Sequence, residues 1–442
     1  MNQSSPQNIT VIAARWVVPI RPENTVLENH CVVIEDSTIV DIIPIEHVSV
    51  SYPNATLIKR PHHVLMPGLV NAHTHAAMSL LRGIADDLPL MEWLNNHVWP
   101  IEAEHVGEDF IRDGVELAIG EMLLSGTTCF NDMYFFPNIV AETAQKHGIR
   151  AVVGLIVIDF PSAWAKDTNE YFSKGNDAQD QCKQYPLVTT AMAPHAPYTV
   201  NDDNLTRSRV LADELVIPVH MHVHETEHEV QEAENMLGMR PIERLKNLGL
   251  LNARLLAVHM TQLNDDEIKV IAESGVNVIH CPESNLKLNS GYCPVYQLVE
   301  AGVNVALGTD GAASNNDLDM FGEMQTAALI AKTIANNATA LPAKTVLEMS
   351  TINGAKALSL EEKIGSIEVG KQADLIAVDL DFLSTQPVYD PIAQLVYAAS
   401  RQQVSDVWVA GKHQVSNHEL QNMNHTKLIH TAQQWAAKIK KN

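Results

Sequence analysis

The sequence predicts an α/β fold, a (β/α)8 barrel of the TIM type with a small β-sandwich-like domain formed from both chain ends. Three observations lead there. The middle of the chain alternates short apolar β-runs with longer helical patterns, which is the mark of repeated βα units and a parallel sheet. Both ends are instead β-rich with little helical periodicity. The length, 442 residues, exceeds one ordinary core and suits a large domain plus a smaller one.

From the N-terminus, residues 8–18 and 30–43 read as β-runs separated by turn-forming Pro, Glu and Asn. Eight apolar runs follow, at 69–75, 127–132, 151–158, 188–194, 218–224, 255–259, 276–281 and 303–310. The intervals leave room for a helix and a return loop, and eight sequential parallel strands most simply close into a barrel. The rival arrangement, an open doubly wound sheet, lacks its glycine-rich dinucleotide fingerprint after the first strand. Residues 319–360 read as helical cover for the barrel, and β texture returns at 373–378 and 404–409 after a turn-rich stretch at 365–370. The expected division is 1–62 with 364–442 as a composite β domain, and 63–363 as the catalytic barrel.

Composition narrows the partners. Acidic residues number 53 against 30 basic ones, a formal charge of −23, which repels nucleic-acid backbones and anionic membrane surfaces. The N-terminus is polar, without a basic segment leading into an apolar one, and no apolar run approaches the length of a membrane helix. Cys31, Cys129, Cys182, Cys281 and Cys293 are widely spaced with no CxxC pair, so neither a disulfide framework nor a cysteine zinc cage is expected. The expectation is a cytoplasmic protein with a small-molecule substrate and no nucleic-acid or membrane partner.

A barrel of this kind builds its active site from the C-terminal ends of its strands, and here those ends carry metal-ligand side chains. The first run ends in His73-Thr74-His75, where period-two alternation sends both imidazoles to one side. The fifth ends in His220-Met221-His222-Val223-His224-Glu225, the sixth in His259, and the eighth in Thr309-Asp310. A lone buried histidine is usually a satisfied core residue, but recurrence on several strand ends points to a metal site. His220, His222 and His224 share a strand face, and the pattern alone does not choose among them.

The segment Pro67-Gly68-Leu69-Val70-Asn71-Ala72-His73-Thr74-His75 resembles the opening metal motif of the amidohydrolase superfamily. Met192-Ala193-Pro194-His195-Ala196-Pro197, His222-Val223-His224-Glu225-Thr226, Ala257-Val258-His259 and Gly308-Thr309-Asp310-Gly311 follow in the same order. With Glu92-Trp93-Leu94 and Pro100-Ile101-Glu102, they are similar to the branch of 5-methylthioadenosine/S-adenosylhomocysteine deaminases and s-triazine hydrolases. The resemblance implies one metal held by His73, His75, His222 and Asp310, since the family places this ligand three residues before a catalytic glutamate. His220 is then packing or second to the ligands, and His224 a pocket-wall or surface residue. Zinc is the first choice, with iron or manganese compatible by residue type. Binuclear relatives use a lysine at the end of strand four, where this chain has His195.

What the resemblance implies for chemistry is the hydrolytic deamination of an adenine nucleoside. Water attacks C6 of the purine, Asp310 accepts its proton, His259 orients it, and Glu225 protonates the adjacent ring nitrogen. Glu102 would receive the ribose hydroxyls and His195 the purine or sugar. Each has a plainer reading: Glu225 a solvated helix-start carboxylate, Glu102 a helix N-terminal acid, His195 a core histidine. Trp93, on an apolar helix, reads as core. The alternatives are a deaminase or dechlorinase of guanine, cytosine or an s-triazine at the same metal site, or a noncatalytic metal-binding barrel. The cytidine-deaminase type is set aside because its PCxxC element is missing. Some relatives hold the S-adenosylhomocysteine carboxylate with arginines after strand three; residues 154–171 contain none, so 5′-methylthioadenosine is the expected better substrate. A symmetric homo-oligomer, dimer or tetramer, is also expected.

Overall fold

The computed structural model describes residues 9–440, and among these two eight-stranded sheets organise the chain. The first draws on both ends of the chain. It contains β1 (Ile9–Val17), β2 (Leu27–Glu35), β3 (Thr38–Pro44) and β4 (Thr56–Pro67), then β13 (Leu375–Asp379), β14 (Val404–Val409), β15 (Lys412–Ser416) and β16 (Glu419–Leu420). The ends join where β4 runs antiparallel to β13, with Leu65 opposite Ala377. The sheet curls over a shared apolar core that includes Ile12, Ile34, Leu65, Leu375 and Trp408, and Thr38 bridges Gln372 across the fold.

Two details differ from the sequence expectation. The expected run at 30–43 is split into β2 and β3, because Asp36 takes a left-handed φ of 53° at a tight turn, a conformation Asp tolerates better than most residues. Residue 8 of the first expected run lies outside the described residues. β4 is a further strand beyond the two runs read near the N-terminus: its largely exposed first half pairs with β1 alone, and its buried second half lies between β1 and β13. It extends to Pro67, past residue 62, and leads into the barrel after a single residue.

The second sheet is the barrel, β5 (Leu69–Thr74), β6 (Thr127–Asp132), β7 (Arg150–Val157), β8 (Val188–Pro194), β9 (Val219–Val223), β10 (Leu255–His259), β11 (Asn277–His280) and β12 (Asn304–Leu307). The strands are parallel and adjacent in sequence order, and all but β8 and β12 are buried along their whole length, as expected of a sheet covered on both faces. The seam between β5 and β12 closes without a regular ladder. Asn71 Nδ2 donates to Thr309 Oγ1 at 2.8 Å, Thr309 N donates to Asn71 Oδ1 at 3.0 Å, and Asp310 N donates to His73 O at 3.0 Å. Gly308 is required here, since a Cβ would sit 2.7 Å from the His73 nitrogen.

The 364–442 segment is not all β. Its last helix, His425–Ile439, turns Leu428, Trp435 and Ile439 inward and packs on the barrel helix Glu108–Leu124. Trp435 Nε1 donates to Asp113 Oδ2 at 2.8 Å, and its ring meets Phe110 edge-on at 5.3 Å. The expected helical cover is present as Met320–Ile334, Ala343–Met349 and Ile352–Ala357. All five cysteines are free and buried, and among the described residues no helix is long and apolar enough to cross a membrane.

The two sheets are pinned together by a buried ion pair. Arg150, the first residue of β7, holds Asp374 just before β13 through Nε at 2.9 Å and Nη2 at 3.0 Å, and Asp374 also accepts from Ala410 N at 2.8 Å. Removing one partner strands a desolvated charge. We therefore expect Arg150→Ala to destabilise the protein by about 3–5 kcal/mol, read as a lowered chemical-denaturation midpoint; an unchanged midpoint would refute this role.

Candidate active site

At the barrel mouth the strand ends bring His73, His75, His222, His259 and Asp310 together. Their backbones are bent to do so: His224, His259 and Asp310 adopt left-handed φ values of 53°, 75° and 63° at the ends of β9, β10 and β12. Such conformations persist in non-glycine residues only where the surroundings hold them. The holding bonds are short: Gly311 N donates to Asp310 Oδ1 at 2.8 Å, and Thr261 N to His224 O at 2.9 Å.

Each imidazole has one nitrogen tied outward and the other turned to a common point. His75 Nδ1 donates to Met133 O at 2.6 Å, His222 Nδ1 donates to His195 O at 2.8 Å, and His73 Nδ1 meets His220 Nε2 at 2.8 Å. In their neutral forms with Nδ1 donating outward, His75 and His222 each turn a bare Nε2 lone pair inward, and these two atoms lie only 3.3 Å apart. His73 Nε2 and His75 Nε2 each lie 3.2 Å from Asp310 Oδ1, and His73 Nε2 is buried without a hydrogen-bond partner. Lone pairs and a carboxylate converging in a dry cavity call for a cation. Ligand atoms of His73, His75 and Asp310 lie within 4.8 Å of one another, as do those of His73, His222 and His259. The outward hydrogen bonds orient ligands in the way metal sites require, and imidazoles with one carboxylate form a donor set that fits zinc.

Around this cluster stand residues that sequence reasoning missed. Asn285 Oδ1 accepts from His259 Nδ1 at 2.8 Å, which leaves His259 Nε2 facing Glu225 Oε2 at 3.8 Å. Asp310 Oδ2 accepts from Ser284 Oγ at 2.6 Å and Ser314 Oγ at 2.9 Å. Ser284 and Asn285 lie in the first turn of the short helix Pro282–Lys287 just after β11, so extending the strand-end rule to the loop after the seventh strand would have found them. Glu229 accepts from His224 N at 3.0 Å and Glu225 N at 2.8 Å, fixing the turn that carries Glu225, and burial pushes its carboxyl up to about 8. Glu225 is itself buried, not the solvated helix-start acid of the plainer reading, and that burial raises its pKa.

His220 lies beneath His73, as expected of a supporting residue. His224 does not form part of the pocket wall or surface: its side chain is fully buried, with Nε2 accepting from Ile242 N at 3.3 Å. The left-handed turn at His224 breaks the strand alternation that would have kept it on the His222 face.

The cluster opens into a cleft enclosing about 920 Å³, part of it open to solvent. Glu102, His195, Glu225, His259 and Asp310 all line it, opposite an apolar wall that includes Trp93, Val98, Met133, Ile156, Ile158 and Phe160. Trp93 therefore faces the cleft as well as the core. It sits in a helical segment, Leu90–Trp93 and Trp99–His105, joined by a wider turn in which Trp99 N donates to Leu94 O. Pro100, lacking an N–H, disrupts the regular ladder there. Glu102 accepts a hydrogen bond from the Tyr134 hydroxyl, and burial pushes its carboxyl up to about 7. His195 Nδ1 lies 3.0 Å from Thr199 Oγ1, and burial lowers its pKa to about 3, so the ring is neutral.

Several known proteins are similar to this chain. The model of the amidohydrolase family matches residues 64–413. A relative from Teredinibacter turnerae named 5-methylthioadenosine/S-adenosylhomocysteine deaminase is 48% identical over 426 residues, covering 96% of each chain. One of the same name from Saccharophagus degradans is 45% identical, covering 99% of this chain and 98% of its own. Among solved structures, a zinc-bound adenosine deaminase from Xanthomonas campestris is 53% identical with a TM-score of 0.97, covering 99% of this chain and all of the other. A zinc-complexed atrazine chlorohydrolase from Arthrobacter aurescens shares the fold, with a TM-score of 0.89 at 23% identity, covering 96% and 99% of the two chains. The chain belongs to the amidohydrolase family, as a hydrolytic enzyme with a zinc cofactor.

Proposed function

We propose that this protein hydrolyses the 6-amino group from adenine nucleosides, with 5′-methylthioadenosine as its preferred substrate. The observation that carries this reading is one cleft lined both by the histidine cluster with Glu225 and Asp310 and by a half-buried Glu102 suited to a diol. The names of the most similar relatives support it.

In this reading His73, His75, His222 and Asp310 hold zinc. When bound, zinc lowers the pKa of a water enough for it to serve as nucleophile near neutral pH. Glu225, whose burial favours its protonated form, gives a proton to the ring nitrogen beside C6, which lets the purine accept electron density during attack. Asp310, held through its other oxygen by Ser284 and Ser314, takes the water proton. His259, held by Asn285, orients that water with Nε2; as the C6–N bond breaks, the proton held by Asp310 leaves with ammonia and the hydroxyl proton at C6 returns to Glu225, leaving the 6-oxo group. His195, neutral, contacts the purine or sugar.

The 5′ end of the substrate meets Ile156 at the end of β7 with Ile158 and Phe160 just after it, where residues 154–171 offer no arginine. A thiomethyl group is satisfied by such a wall, whereas an amino-acid tail would leave its carboxylate without a partner.

Three outcomes test this. Glu225→Gln should reduce ammonia release by about 10²–10⁴-fold with zinc content unchanged, and chelation should abolish release until zinc is restored; full activity in either case would refute the mechanism. Second, kcat/KM for 5′-methylthioadenosine should exceed that for S-adenosylhomocysteine, and the reverse order would overturn the preference. Third, Glu102 accepts the ribose hydroxyls best as a carboxylate, and its pKa is pushed up to about 7. It is protonated below that value, so KM for nucleosides should rise as pH falls through 7, and the rise should vanish in Glu102→Gln. If Glu102→Gln has the nucleoside affinity and pH profile of the parent, the substrate is a free base or triazine instead.

A further inference from the structure

Among the described residues, Tyr134 is the single side chain hydrogen-bonded to Glu102. It follows β6 directly and is 6% exposed, so its ring is fixed by packing while its hydroxyl reaches the cleft. A neighbouring ring, Phe135, lies 5.2 Å away at a tilt of 52°, and His75 lies 6.4 Å away on another side. The tyrosyl hydroxyl is a donor that engages one carboxylate oxygen, Oε1, and leaves Oε2 without a protein partner. Glu102 stands on a helix outside the barrel sheet, whereas Tyr134 stands in the segment just after β6. The hydrogen bond is therefore the link that registers the outer helix against the strand ends where the chemistry occurs.

We propose, resting on the adenine-nucleoside reading, that Tyr134 is a positioning residue for substrate: it fixes the Glu102 carboxylate in the rotamer that accepts the vicinal 2′,3′-diol of the sugar. Tyr134 thus acts through Glu102 and contributes to selection of ribosides over sugars lacking that diol. A freely rotating carboxylate would have to be ordered at each binding event, so the gain is in pre-organised recognition and not in the bond-breaking step.

The test compares adenosine with 2′,3′-dideoxyadenosine on the zinc-loaded protein and its Tyr134→Phe variant, which keeps the ring and removes only the hydroxyl. The expected result is a loss of about tenfold in kcat/KM for adenosine, carried mainly by KM, with little change for the dideoxy compound. Calorimetric binding of inosine, a product that needs no turnover, should weaken by a similar factor at an unchanged thermal midpoint. On a Glu102→Gln background, Tyr134→Phe should add little, since the two residues act as one unit. Equal losses on both nucleosides, or no loss on either, overturn the proposal and leave the deaminase reading standing. If the parent protein turns over neither these nucleosides nor 5′-methylthioadenosine, the deaminase reading fails and the proposal falls with it.

Discussion

The structure is arranged around one electrostatic problem: imidazole lone pairs and a carboxylate oxygen crowded together at the dry mouth of a barrel. Such groups repel one another unless a cation sits among them. The protein commits to this by spending each histidine's second nitrogen on an outward partner, Met133 O for His75 and His195 O for His222. The donors come from β5, β9 and the turn after β12, so no local segment could assemble the site alone.

Burial then sets the proton inventory of the cleft. The same desolvation that raises Glu225, Glu229 and Glu102 lowers His195. Carboxyl groups are moved toward holding protons and the imidazole toward releasing its own. A single physical cause, exclusion of water by the barrel and the outer helix, thus shifts two carboxyls toward holding protons and leaves a neutral hydrogen-bonding ring beside them. The apolar wall that does the excluding also offers the surface against which an uncharged substituent can rest.

Much of this was legible in the sequence because barrel strands are buried on both faces and appear as short apolar runs. The eight runs correspond to β5–β12 with ends shifted by at most three residues. The ligand-type residues were visible because they recur at strand ends, and the structure brings His73, His75, His222, His259 and Asp310 to one point. What was not legible depends on partners distant in sequence. β4 opens on an exposed stretch that becomes a strand by pairing with β1, and His224 is turned away by a backbone angle that alternation cannot foresee. Ser284, Asn285, Ser314 and Tyr134 carry ordinary polar groups whose meaning comes only from what they touch.

The irregular seam between β5 and β12 bears on how such a protein comes into being. Asn71 and Thr309, which close it, are 238 positions apart, and His73 and Asp310 lie immediately beside them. The two edges meet only through a contact spanning more than half of these 442 residues, so the ion-binding constellation depends on a strongly non-local closure. An ion bound there acts as a rivet on that contact: it binds the closed ring and not its open precursor, so its binding free energy is added to closure. Metal supply and the yield of mature barrel are thereby linked through a single joint.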